Sequence, residues 1–203
     1  MKQLLKQSAA GLRVLLVLTV LTGILYPLGV WAVSRLPGLS ANAEGSVIQV
    51  DGRAVGSRHI GVDPVAADPA RDPWFHTRPS AGSADPLGPG DPSTSGGSNK
   101  AADNTDLVDM IRQRIDLVAR REGVDPAKVP ADAVTASASG LDPDIGPAYA
   151  DLQVPRVARV TGVPEDRIRA LVVEHTSGRD LGFVGEPAVN VLELNLAVQA
   201  ASG

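Results

Sequence analysis

Residues 14–34 read VLLVLTVLTGILYPLGVWAVS, 21 positions without a charge, closed at either end by Arg13 and Arg35. As a helix rising about 1.5 Å per residue the run spans roughly 31 Å, close to the ~30 Å hydrocarbon core of a bilayer. No later stretch approaches it in length or apolarity. It predicts a single transmembrane helix dividing the chain into a short tail (1–13), the span (14–34) and a domain (35–203). One span cannot enclose a pore, so any role in transport is that of a subunit.

The flanks set an orientation. Lys2, Lys6 and Arg13 precede the span, whereas the first acid is Glu44. The positive-inside rule then keeps the N-terminus cytoplasmic and puts the domain outside. Tyr26 and Trp31 fall in the outer half of the run, as interfacial anchors do, and Gly23 and Pro27 are tolerated in lipid. A cleaved signal peptide is the competing reading, with Ala41-Asn42-Ala43 as its small-residue site. The run is longer than the ~7–15 residues of a signal core, and the site lies several residues past its end, so a retained anchor is expected.

The part after Arg35 carries 15 Lys+Arg against 23 Asp+Glu, a net charge of −8. This balance disfavours nucleic acid and anionic lipid surfaces as partners; contact with membrane lipid is left to the anchor. There is no cysteine in 203 residues, which excludes disulfides and thiolate metal sites.

Residues 46–50 and 53–60 read as short strands around the Asp51-Gly52 turn. From 61 to 99, 13 of 39 residues are Gly or Pro, a density that predicts a long loop. Trp74 and Phe75 inside it call for packing against the domain or a partner. Residues 103–121 give the clearest helix, with Leu107, Met110, Ile111, Ile115 and Val118 as its stripe and Gly123 as its stop. Residues 133–138 suit a buried strand. Pro147 opens a helix with Ala148, Leu152 and Val157 inward, bent or split at Pro155. Pro164 opens another, with Ile168, Leu171, Val172 and a structural His175 on one face, ending at Gly178. Pro187 opens the last, with Val189, Leu192 and Leu196 inward. The fold class is α+β: one small extracytoplasmic domain after an N-terminal transmembrane helix.

Several clusters invite chemistry. Phe75-His76-Thr77-Arg78-Pro79-Ser80 brings together an imidazole, a guanidinium and a hydroxyl. No spacing supplies an orienting carboxylate or an oxyanion hole, so a loop pinned by Arg and His hydrogen bonds is the better reading. An anchored extracytoplasmic serine hydrolase using His76 with Ser80 or Ser139 is the alternative. Ser95-Gly96-Gly97-Ser98-Asn99-Lys100 lacks the ending of a phosphate loop. Between Ser137 and Ile145 lie two hydroxyls, a glycine and the carboxylates of Asp142 and Asp144. Without an EF-hand spacing these suit Asx-type capping of the Pro147 helix better than a hard cation. His59, His76 and His175 form no i, i+4 pair of the kind that holds zinc on a helix.

Five ordered blocks carry a resemblance: 75–80 (FHTRPS), 95–99 (SGGSN), 137–143 (SASGLDP), 153–159 (QVPRVAR) and 189–196 (VNVLELNL). Together they resemble the KdpC family, the C subunit of the bacterial Kdp potassium-transporting P-type ATPase, from the anchor to about residue 198. The Pro/Gly richness of 61–99 departs from the family pattern. The resemblance implies a non-catalytic subunit of a high-affinity potassium uptake complex in the cell membrane, needed for assembly and activity. Its partners would be a potassium-selective A subunit and an ATP-hydrolysing B subunit. The family is described as a catalytic chaperone raising the B subunit's affinity for ATP, with the glutamine matching Gln153 as nucleotide contact; ATP is thus the one cofactor the resemblance offers. The topology opposes this, since Gln153 lies outside and ATP inside. Phe75, His76, Arg78, Ser98, Asn99, Ser137, Ser139, Asp142, Arg156, Asn190 and Asn195, all within the matching blocks, are candidates for a partner surface.

Overall fold

The computed structural model describes residues 1–203, which form two compact units, Met1–Val47 and Ile48–Gly203. In the first, α1 (Lys2–Val20) and α2 (Tyr26–Ser34) are joined by a π-helical turn at Leu21–Leu25. The result is one rod of 33 residues, Lys2–Ser34, long and apolar enough to cross a membrane. Helix therefore begins twelve residues before the apolar run, since nothing in the polar tail breaks it. Pro27 explains the π turn. A proline has no N–H and its ring crowds the carbonyl one turn back, so the helix widens just before it. There the Tyr26 N–H bonds to Leu21 O, five residues earlier. Beyond the rod, Ser40–Ala43 makes one further turn, α3.

A hairpin of β1 (Val47–Val50) and β2 (Arg53–Ser57) starts at the boundary and, from Ile48 on, belongs to the second unit. Asp51 and Gly52 both have positive φ, 50° and 74°, as a two-residue turn between twisted strands requires. The second strand stops at Ser57, short of the expected 60. After the long loop come α4 (Thr105–Glu122), β3 (Asp144–Ile145), α5 (Pro147–Thr161) and α6 (Glu165–Glu174). Then follow β4 (Thr176–Ser177), β5 (Ala188–Asn190) and α7 (Val191–Ser202). The three strands form an antiparallel sheet in the order β3-β5-β4, with Ile145 and Thr176 flanking Val189.

The core lies where α4, α5, α6 and α7 converge on this sheet. Tyr149, Val154 and Val157 of α5 meet Val118 of α4, Ile168 and Leu171 of α6, and Val191 and Leu194 of α7. Phe75 joins them from the loop, fully buried. Burying such a side chain contributes about 1.5–3 kcal/mol, enough to tether a segment that has no regular structure.

Four expectations need correction. Residues 133–138 are not a strand but a 3-10 turn (Ala131–Ala133) and a loop. In α5 the inward face is Tyr149, Ala150, Gln153, Val154, Arg156 and Val157, while Ala148 is exposed, and Pro155 does not split the helix. Pro155 sits on the exposed side, where water can take up the carbonyl it leaves unpaired. The third helix ends at His175, because Thr176 and Ser177 leave it to pair with β5. The last helix starts not at Pro187 but at Asn190, whose side chain accepts the Glu193 N–H at 3.1 Å, and its buried face is Val191, Leu194 and Val198.

Candidate functional site: a buried polar clamp on an extended segment

Residues 72–80 run through the domain outside any helix or strand, and α4, α5 and α7 each contribute a polar side chain to hold them. Gln153 on α5 and Asn195 on α7 act alike. Asn195 Oδ1 accepts the Phe75 N–H at 2.8 Å while its Nδ2 donates to Phe75 O at 2.9 Å. Gln153 Oε1 accepts the His76 N–H at 2.8 Å while its Nε2 donates to His76 O at 3.3 Å. Two side-chain amides thus replace the neighbouring strands that a buried extended segment would otherwise need.

Tyr149, Gln153 and Arg156 are spaced i, i+4, i+7 and share one face of α5. Arg156 bridges the segment to α4. Its Nη1 donates to Asp72 O and Trp74 O, its Nη2 to Gln153 Oε1, and its Nε to Glu122 Oε2 at 2.9 Å. Arg121 donates to the other Glu122 oxygen at 2.7 Å and to Tyr149 Oη at 2.8 Å. Burial pushes the Tyr149 hydroxyl up, and Arg121 only partly offsets it. For Arg121 burial works against the charge, but Tyr149 and Glu122 outweigh it and hold the guanidinium above its ordinary range.

His76 closes the clamp on the other side. Its Nδ1 meets Asp63 Oδ2 at 3.0 Å and its Nε2 meets Asp72 Oδ2 at 2.6 Å. Burial pushes the Asp72 carboxyl up, yet the hydrogen bond and charge of His76, the Trp74 N–H and Arg156 together hold it below the usual carboxylate value. Asp63 also receives the Thr77 N–H at 2.7 Å. Further along, Arg114 of α4 donates to the carbonyls of Pro86, Val134 and Ser80, and burial lowers its guanidinium. Arg78 reaches Asp142 at 3.2 Å and the carbonyls of Thr135 and Ala136.

This geometry does not make a nucleophile. Both His76 nitrogens are taken by carboxylates. The Ser80 hydroxyl accepts from Gly82 N, while that of Ser139 lies against Ser137 Oγ and accepts from Leu141 N. A Ser–His hydrolase, which needs the imidazole against the hydroxyl, is not assembled. Nor do Asp142 and Asp144 cap α5: that helix begins at Gly146, whose N–H goes to Asp132 Oδ2 at 2.7 Å. Asp142 accepts the Asp144 N–H instead, within its own turn.

Of the eleven residues expected at a partner surface, Phe75, His76, Ser137, Arg156 and Asn195 are buried and work inward. Arg78, Asp142 and Asn190 are half-buried, and Ser98, Asn99 and Ser139 are exposed. Gln153, expected as the nucleotide contact, is 0% exposed with both amide atoms engaged. Asp63, Asp72, Arg114, Arg121, Glu122 and Tyr149 escaped the sequence reading. The i, i+4, i+7 run of Tyr149, Gln153 and Arg156 was the one local signal of a polar helix face, and it does not say that the face is buried.

A family model described as K+-transporting ATPase, c chain, matches residues 8–200. The chain is 49% identical over 200 residues to the potassium-transporting ATPase KdpC subunit of Kineococcus radiotolerans, covering 98% of this chain and 96% of that one. It is 47% identical to the same subunit of Streptomyces coelicolor, over 93% of this chain and 90% of the relative. With that of Rhodopseudomonas palustris the identity is 43%, over 98% and 100%. With the match running almost end to end, the chain belongs to the KdpC family.

Proposed function

We propose that this protein is a non-catalytic accessory subunit of an ATP-driven potassium uptake complex, held in the cell membrane by its N-terminal helix with the domain outside. Its partners would be a potassium-selective subunit and a P-type ATPase subunit. The near full-length similarity to proteins named as KdpC subunits supports this reading. The observation that carries the mechanism is that the domain's polar side chains are spent on holding residues 72–80, which suits a rigid scaffold rather than an active site. Any effect on ATP affinity then passes through the assembled complex, as a coupling between sites, and not through Gln153 touching nucleotide.

The test uses the full chain in detergent, alone and co-expressed with its partner subunits. Alone it should show no saturable ATP binding by calorimetry; with its partners it should co-purify with them and be required for potassium-stimulated ATPase activity. Micromolar ATP binding by the chain alone, abolished in Gln153→Ala, would overturn the indirect mechanism. Full activity of the complex without the chain would overturn the function.

A further inference from the structure

Between β4 and β5 the chain throws out a small closed hairpin, residues 179–186. Asp180 and Val184 exchange both backbone hydrogen bonds at 2.9 Å, and Arg179 pairs with Glu186 across its base. At its tip Leu181 is 86% and Phe183 73% exposed, with Val184 beside them. Leu181 also sits at φ 54°, in the left-handed region that asparagine and glycine occupy at little cost and a bulky side chain does not. Leucine here is unfavourable twice over for the isolated chain, through its backbone and through its exposure. Nothing within the domain compensates, which points to a contact outside it.

The surroundings say what kind. The hairpin's base borders a recess of 640 Å³ lined by Asp132, Asp142, Asp144 and Glu186. Two guanidiniums answer these four carboxylates, Arg78 on Asp142 and Arg179 on Glu186. Asp144 is paired with no guanidinium and takes the neutral amide of Asn190 at 3.1 Å; burial, with Asp142 and Glu193 nearby, holds its carboxyl above the ordinary value, which Asn190 and His59 offset only in part. The recess therefore keeps uncompensated negative charge beside an apolar tip. An anionic bilayer surface would be repelled, and a second copy of the chain would bring the same acids against themselves. A protein surface with an apolar socket and an adjacent basic side chain fits both features.

We infer that the Leu181–Phe183 tip and the Asp142–Asp144–Glu186 recess form one docking surface for another subunit of the transporter, with the tip seated in an apolar socket and a Lys or Arg of that subunit entering the recess. This rests on the proposed role as a subunit. Exposed apolar side chains on a closed hairpin, with charge beside them for a partner to complement, have the character of interface hot spots.

The test compares tagged full-length wild type with Leu181→Asn, Phe183→Ser and the double variant, each co-expressed with the complex's other subunits. Leu181→Asn suits the left-handed position, so melting of the variant should match or exceed wild type. Recovery of the partner subunits should fall about tenfold or more in the double variant, and a Lys added at the recess through Asp144→Lys should weaken it too. Equal recovery with wild type and double variant would overturn the inference while leaving the subunit role intact; recovery of no partners even by wild type would overturn that role. One further outcome would count against it: self-association of the wild-type chain that the double variant abolishes without loss of the other subunits.

Discussion

At Gln153 a single side chain decides whether residues 72–80 have a place in the domain. Its amide supplies one acceptor and one donor to the His76 backbone and a second acceptor lone pair to Arg156. Gln153→Leu keeps much of the volume but strands those three groups in a buried site, where each unmet group costs about 1–3 kcal/mol. We expect chemical denaturation to show a loss of about 2–4 kcal/mol, after partial relaxation; wild-type stability would refute the clamp. Asp72 gives a pH signature. Its folded carboxyl lies below the ordinary 3.8, so its contribution is complete above that value and disappears as pH falls through the lower folded value. Stability should drop on acidification below about 3.8, and Asp72→Asn should flatten that limb while lowering stability at neutral pH. A mutant with the wild-type acid limb would assign the effect to other carboxylates.

Among the elements, what could be read in advance was whatever carries its own signal. The Asp51-Gly52 hairpin, α4 with its Gly123 stop, and the three-helix C-terminal half follow from turn chemistry and periodicity. The start of α7 was also written in the chain, as Asn190 three residues before Glu193, a capping signature that the nearby Pro187 obscured. Residues 133–138 failed for a different reason. Their short apolar run suits a strand, but their carbonyls are claimed by Arg114 and Arg78 from 20 to 58 residues away, which leaves no ladder to join. The clamp was hidden likewise, because a buried Gln, Arg or His looks like any exposed one until its partners are known. Arg114 offers the test at this scale. Arg114→Met should leave the carbonyls of Ser80, Pro86 and Val134 unpaired, lower stability by about 2–4 kcal/mol, and raise hydrogen exchange selectively in residues 80–90 and 133–138. A uniform rise across the domain, with no selectivity for those loops, would mean that Arg114 supports the core generally rather than those loops.

For the whole molecule the governing question is which side of the membrane the domain occupies, because that decides whether nucleotide can ever reach it. An outside domain follows from Lys2, Lys6 and Arg13 before the apolar rod against Arg35 as the one cation close after it. The chain has no cysteine, so a single introduced one reports its own location without background. Ser98 is suited to this: it is exposed, and its one side-chain contact is a weak acceptor bond from Lys100 N at 3.5 Å, so Ser98→Cys should leave the fold intact. In intact cells carrying the full complex, a membrane-impermeant maleimide should label Ser98→Cys without permeabilisation. A cysteine placed at Ser8, in the basic tail, should be labelled only after the membrane is opened. The reverse pattern would put residues 35–203 in the cytoplasm and return direct nucleotide contact to consideration. Even then Gln153 could reach a nucleotide only by releasing His76, and nucleotide binding would have to expose the clamp, a change that hydrogen exchange at residues 75–77 would register.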